Sequence, residues 1–437
     1  MSNIKTFMIV FLLFVGSAPL AYSQESIPTS IKAEDGEGSK NKTAQKVFNQ
    51  SQSSIYQIRV ISKKSGQKSS IGSGFRVQPH GFFVTNYHVI SQAALEPDDY
   101  SLEYLTDGNE KATLKIRNID VVNDLAILEL LQEKNNQTDN LLSFNHKSLS
   151  KGEPIFSIGN PHDLGMTIID GVYNGLLEKS LYQKILFSGA LNSGMSGGPA
   201  LDTTGRVIGV NVARSGDDLG YLVPVEYVRN LLGKEPPSGE WKSVVKDQLL
   251  DNSHKTVQEL LSKPWKTKAF GEFQIPENLN PAFKCWGSGH SEGKEENYSY
   301  AKSICKTQDD LYISSGLDTG KIRFSTTKID STLMNRFAFS EYYQRHYNFV
   351  PSGVSDKDLE DVKQFSCQSS FVSIAQKKWK VALCARPYKE FEGLYDVFVK
   401  AALMGRVREG YLVEIFMDGF SQPNSQDFID KFLEAIQ

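Results

Sequence analysis

At 437 residues the chain is longer than one ordinary hydrophobic core supports, which implies two or three domains. Its 40% hydrophobic and 23% charged residues are those of a globular protein. A formal net charge of −3 supplies no basic field, which argues against a nucleic-acid partner.

The N-terminus has a character of its own. Lys5 precedes an apolar run from Phe7 to Val15, and small residues then lead to Ala21-Tyr22-Ser23. This is the order of a secretory signal peptide, so 1–23 is expected to be removed after Ser23, the run being short for a bilayer span. No later segment reads as a membrane span. Residues 24–45 are polar and expected to form a mobile arm, with one short helix near 44–48.

Short apolar runs then predict strands at 54–61, 71–77, 81–84, 101–104, 113–116 and 125–130, and again at 154–158, 166–176, 183–187, 207–212 and 220–223. Many short strands with turn residues between them describe an all-β barrel domain over 46–232, closed by a helix at 225–232. Pro236-Pro237, bracketed by Gly233 and Gly239, marks a linker, and helices are expected at 241–250 and 256–261 within a connector spanning 233–263. The remainder, 264–437, is strand-rich and aromatic and ends in a strand at 411–417 and an amphipathic helix at 425–436. It is expected to be an α+β domain, and its residues point to no function. Two stretches inside it resemble each other, Phe283-Lys284-Cys285 leading to Ile304-Cys305 and Phe365-Ser366-Cys367 leading to Leu383-Cys384, each a candidate hairpin followed by a strand.

Those are all four cysteines of the chain. An even number in an exported protein implies disulfides. Pairing of sequence neighbours, Cys285–Cys305 and Cys367–Cys384, is favoured. A four-cysteine zinc site is the rival, weakened by the absence of any C-x-x-C pair.

Chemistry is concentrated in Asn192-Ser193-Gly194-Met195-Ser196-Gly197-Gly198-Pro199. Glycines around a serine let the backbone turn tightly and offer its N–H groups to a small anion, as an acyl-transfer site needs beside its nucleophile. Upstream, the apolar run Gly81 to Ile90 reads as a strand ending in His88, and Asp120 to Leu130 reads as an aspartate-led strand. A serine hydroxyl is a poor nucleophile until an imidazole takes its proton, and the imidazole needs a carboxylate to fix its tautomer. The chain offers all three groups.

With these motifs the sequence resembles the chymotrypsin-like serine proteases, and among them the HtrA/Deg family. The likeness runs through Gly72-Ser73-Gly74-Phe75, Thr85-Asn86-Tyr87-His88-Val89, Asp124-Leu125-Ala126-Ile127-Leu128, Ile158-Gly159-Asn160-Pro161, Gly171-Val172, Gly194 to Pro199 and Gly220-Tyr221-Leu222-Val223-Pro224, under half the chain. It implies two packed six-stranded barrels with the catalytic groups between them, and an exported enzyme of the bacterial periplasm or exterior. It further implies Ser196 as nucleophile, His88 as general base and Asp124 as the carboxylate that orients it. Asp124 is preferred to Asp120 because the family's carboxylate directly precedes Leu-Ala-x-Leu. Gly194, Met195 and Ser196 would form the oxyanion loop. Ala190, Leu191, Asn192, Val212 and Ala213 would bind substrate, and the lack of charge at Ala190 and Leu191 disfavours Lys or Arg before the scissile bond. Arg214 and Asp217-Asp218 are candidates for the cleft rim. Met195 replaces the acidic residue that pairs with a new N-terminus in digestive relatives, so activation of that kind is not expected.

The substrates implied are polypeptides, with no cofactor or metal, and the family makes a homotrimer an expectation. The C-terminal half departs from the family, because no carboxylate-binding loop of a PDZ domain is recognisable in it. The rival function is a non-catalytic binding or chaperone-like protein that uses the barrel as scaffold, against which the intact His, Asp and Ser set argues. An esterase would share the triad but needs a strand-turn-helix nucleophile elbow, which this setting lacks.

Overall fold

A computed structural model describes residues 36–78, 81–132, 141–212, 219–294, 296–348 and 360–437. The expected signal peptide and most of the arm lie outside the described residues. Helix α1 (Gly36–Ser51) is longer than the helix expected near 44–48.

The first barrel closes strands β1 (Ile55–Ser62), β2 (Lys68–Val77), β3 (Phe82–Thr85), β4 (Tyr100–Leu105), β5 (Lys111–Asp120) and β6 (Leu125–Leu130) in the order β1-β2-β3-β6-β5-β4. The second closes β7 (Pro154–Gly159), β8 (Thr167–Leu176), β9 (Ile185–Phe187), β10 (Pro199–Leu201), β11 (Val207–Val212) and β12 (Gly220–Pro224) in the order β10-β11-β12-β9-β8-β7. All the pairings are antiparallel. The double six-stranded barrel is thus present. Three readings are corrected. Strand β10 was not expected, being only three residues long behind a glycine pair. Asp120 to Leu130 is two strands joined by a turn. The run from Gly81 does not stay extended to His88, because after Asn86 (φ −83°, ψ 152°) the chain enters helix α2 (Tyr87–Leu95). Tyr87, Ile90 and Ala94 recur at helical spacing and are buried, so packing against the barrel favours the helix over the strand that apolarity alone suggests.

Helix α3 (Val225–Leu232) closes the second barrel, and α4 (Trp241–Leu261) is one continuous helix rather than two. Its buried stripe, Val245, Leu249, Ser253, Thr256, Val257 and Leu260, runs without a break through the polar middle of the segment. The C-terminal region holds β13 (Thr267–Phe270), β14 (Phe273–Pro276), β15 (Phe283–His290), β16 (Ser299–Thr307), the hairpin β17 (Leu311–Ser314) and β18 (Leu317–Thr319), and β19 (Ile322–Asp330). Helix α5 (Arg336–Asn348), β20 (Ser366–Ile374), β21 (Lys377–Pro387), β22 (Tyr395–Leu403), β23 (Glu409–Phe420) and helix α6 (Gln422–Glu434) complete it. A seven-stranded antiparallel sheet of order β15-β16-β19-β23-β22-β21-β20 is its centre.

The two similar cysteine stretches are hairpins at opposite edges of that sheet, and each is stapled across its strands, Cys285 to Cys305 and Cys367 to Cys384. No described cysteine is free, which removes the zinc rival. The strands after them differ, since β17 pairs only with β18 while β22 joins the main sheet. One apolar core unites the first barrel with α4, Leu311, Ile313 and Leu317 of the small hairpin, and Tyr388, Phe391 and Leu394. The C-terminal region therefore packs on the first barrel directly. Among the described residues no helix is long and apolar enough to cross a membrane.

Candidate active site

The site is built from turns that the barrels hold together. At the β5–β6 turn the Asp120 carboxylate accepts from Asn123 N (3.0 Å) and Asn123 Nδ2 (2.8 Å), so Asp120 serves the turn. Asp124 takes φ +56°, a left-handed conformation that aspartate tolerates better than most residues. From there Oδ1 accepts the His88 backbone N–H at 2.9 Å, and Oδ2 lies 2.7 Å from His88 Nδ1. Asn86 Nδ2 donates to the Asp124 carbonyl at 2.8 Å, fixing the turn to the start of α2. A carboxylate on Nδ1 keeps the proton there and leaves Nε2 as the acceptor.

Burial would lower the His88 pKa, but the charge and hydrogen bond of Asp124 more than offset it and hold it above 6.5, with Lys184 pulling slightly the other way. The imidazole is 27% exposed, so one edge remains open to a substrate.

Ser196 comes from the loop between β9 and β10 and is 5% exposed. Its carbonyl accepts from Ser73 N (2.8 Å), Ser73 Oγ donates to Gly194 O (2.8 Å), and Thr85 Oγ1 donates to Ser73 O (2.7 Å). Gly197, at φ +84°, lies so close to the first barrel that a Cβ there would stand 2.2 Å from both Ser73 O and Thr85 Oγ1 and 3.1 Å from Asn86 N. Only glycine permits that approach. The loop that carries Ser196 is thus tied through Ser73, Thr85 and Asn86 to the part of the first barrel from which His88 and Asp124 come.

The Ser193 carbonyl accepts from His162 N (2.9 Å), and the Met195 carbonyl accepts from Gly198 N (3.0 Å) and Asn211 Nδ2 (3.3 Å). In trans peptides the following N–H groups, of Gly194 and Ser196, point away from those donors. Met195 is fully buried in the second barrel among Leu191 and Leu222. Ala190 and Asn192 are exposed. Leu191 is buried, with its Cγ 2.7 Å from where a Cβ on Gly220 would stand, and Val212 is buried in β11. Ala213, Arg214, Asp217 and Asp218 lie outside the described residues.

Three residues that support the site carried no role in the sequence reading. Ser73 and Asn86 stand inside the Gly72–Phe75 and Thr85–Val89 motifs, where a hydroxyl and an amide beside tight turns were a usable signal. Tyr312 gave none. It belongs to β17, and its ring stands 5.9 Å from that of His88 at 71°. Two large cavities, of about 540 Å³ and about 530 Å³, lie elsewhere: one beside Lys184 and Asp309, the other between α5 and the main sheet at Tyr298, Tyr342 and Lys400. Among the described residues no three metal-ligating side chains cluster.

The trypsin-like peptidase domain family matches residues 72–210. Protease Do-like 5 of Arabidopsis thaliana chloroplasts is 34% identical over 189 residues, 38% of this chain and 57% of that protein. A probable periplasmic serine endoprotease, DegP-like, from Chlamydia trachomatis is 33% identical over 156 residues, 35% of this chain and 30% of that protein. Among solved structures, Deg5 matches 45% of this chain and 98% of its own at 26% identity and a TM-score of 0.39. The chain therefore spans from about a third to somewhat over half the length of these curated relatives. Residues 72–210, which lie within the two barrels, are thus similar to the trypsin-like peptidase domain, and the relatives that match this half of the chain are named Do-like and DegP-like proteases.

Proposed function

We propose that the chain is a serine endopeptidase that hydrolyses peptide bonds of unfolded or damaged envelope proteins through an acyl-enzyme. His88 Nε2 takes the Ser196 hydroxyl proton as Oγ attacks the scissile carbonyl, and returns it to the leaving amine. Water then attacks the acyl-enzyme by the same relay. The N–H groups of Gly194 and Ser196 hold the oxyanion, at about 3 kcal/mol for each donor. The carrying observation is the 2.7 Å bond from Asp124 to His88 Nδ1, with the Ser196 loop tied to the same corner through Ser73.

Leu191 and Val212 are buried, and Ala190, Leu191, Asn192 and Val212 carry no charge. That supports a small or medium apolar residue before the scissile bond. Export to the periplasm or exterior fits a chain with two disulfides and relatives described as periplasmic. A fluorophosphonate probe tests the chemistry. Labelling of the wild type that disappears in Ser196→Ala is expected, and equal labelling of the two would favour a scaffold role. Predominant cleavage after Lys or Arg in an unfolded substrate would refute the pocket reading.

A further inference from the structure

We infer that Tyr312, supplied by the C-terminal region, is a positioning residue that holds the His88 imidazole in its working orientation. The inference rests on the reading of His88 as general base. Asp124 holds the His88 main chain through its N–H but grips the ring at Nδ1, and a ring held at that atom can still tilt about the bond. The edge-to-face contact of Tyr312 lies against the imidazole itself. The same phenol reaches Ser91 Oγ at 3.4 Å, one helical turn beyond His88, and Tyr87 Oη donates to the Ile313 carbonyl at 3.0 Å. Both neighbours of Tyr312, Leu311 and Ile313, are buried in the core shared with α2. The hairpin thus touches α2 before, at and after His88.

At its other end the hairpin is anchored in the main sheet. Thr319 Oγ1 donates to Asp418 O (2.8 Å), and Gly320 N donates to the same carbonyl (2.7 Å). The Tyr388 hydroxyl stands 2.9 Å from both Asp396 Oδ1 and Asp418 Oδ1 and 3.2 Å from Thr319 Oγ1, all buried. A buried, mutually bonded polar knot of this kind fixes one arrangement. The hairpin is therefore a rigid strut from sheet to histidine rather than a tethered loop. Among the described residues, the charged and titratable groups that face His88 are Asp124 from the β5–β6 turn, Lys184 from the β8–β9 loop, and Tyr312; Tyr87 is its helix neighbour.

The test compares Tyr312→Ala, which removes the ring, with Tyr312→Phe, which keeps it and loses only the hydroxyl, in the full chain. For the fluorophosphonate probe, Tyr312→Ala is expected to lower the maximal labelling rate about tenfold with the half-saturating probe concentration unchanged, while Tyr312→Phe stays within twofold. In parallel, the His88 ring signal in histidine-labelled protein, assigned by its loss in His88→Gln, should broaden by exchange in Tyr312→Ala and be sharp in Tyr312→Phe. A folded Tyr312→Ala, by thermal melt, with a wild-type labelling rate overturns the inference, as does an equal loss in Tyr312→Phe. Should the wild type fail to label while the His88 signal still broadens only in Tyr312→Ala, the peptidase reading falls and the positioning role stands.

Discussion

The double barrel and the seven-stranded sheet of the C-terminal region use β-structure in opposite ways. In the barrels the chemistry sits in the turns between the strands, where backbone demands dictate the residue. Gly197 must be glycine because two oxygens stand 2.2 Å from its missing Cβ, and Asp124 occupies a left-handed position that few side chains accept. In the sheet the strands are long, up to 12 residues in β23, and their inner face is a pool of apolar side chains such as Phe324, Val399 and Ile415. Many apolar residues of similar volume can fill such a face. One region is therefore written in letters that cannot be changed, and the other in letters that can.

The sharpest way to break that contrast is Asp124→Asn. Asparagine tolerates the left-handed backbone and can still accept the His88 N–H, so the turn should survive. Its amide would face Nδ1 as a donor, forcing the ring proton onto Nε2 and removing the base. Labelling should fall by about four orders of magnitude with the melting temperature nearly unchanged. A drop of less than tenfold would mean that the turn, and not the carboxylate, is what the motif preserves.

That asymmetry also governs what could be read before the fold was known. The linker at Gly233–Glu240 and the glycines around Ser196 were legible because they stand where the backbone restricts the residue, whereas the double barrel was an expectation carried by the likeness to the HtrA/Deg family and its strand order was not read. The helix at His88 escaped because Val89 and Ile90 favour a strand until packing against the barrel outweighs local preference. The two-residue role of Asn86 and Ser73 was visible only as neighbourhood. Tyr312 was unreadable in principle, since its value depends on a contact spanning more than two hundred residues, with α2.

The disulfides refine the comparison within the sheet. Chain entropy gives both staples about 3 kcal/mol, since the loops they close are of similar length, with separations of 20 and 17. Burial separates them. Cys305 is 1% exposed in the core with Phe324, whereas Cys367 is exposed at the sheet edge. Replacing Cys285 and Cys305 together by serine should therefore cost more than the same change at Cys367 and Cys384, by about 1 to 3 kcal/mol for the buried hydroxyl. Thermal melts rank the two. Labelling by the probe should stay within twofold in both, and loss of labelling in a folded variant would show that the barrels borrow more from the sheet than the small hairpin.

The smallest effect is the most diagnostic, because pH should address the two regions at different ends of the scale. His88 is raised above 6.5 in the fold by Asp124 against the opposing pull of burial. Its protonated form is thus favoured by folding, so that contribution to stability is complete below 6.5 and disappears as pH rises through the raised value. Activity needs the neutral ring, and so the labelling rate should climb through that same window, with its midpoint above 6.5. Glu414 behaves inversely. Burial would raise its pKa, but Lys400 at 2.9 Å, with Lys302 at 3.7 Å and the Ser325 hydroxyl at 3.1 Å, holds it below 4.5. Its contribution is complete above 4.5 and is lost as pH falls through the lowered value. Melts recorded across pH should lose the neutral-range slope in His88→Gln and the acid-range slope in Glu414→Gln, each leaving the other's slope in place. If His88→Gln also flattened the acid limb, the two titrations would be coupled rather than additive, and pH would not address the two regions separately.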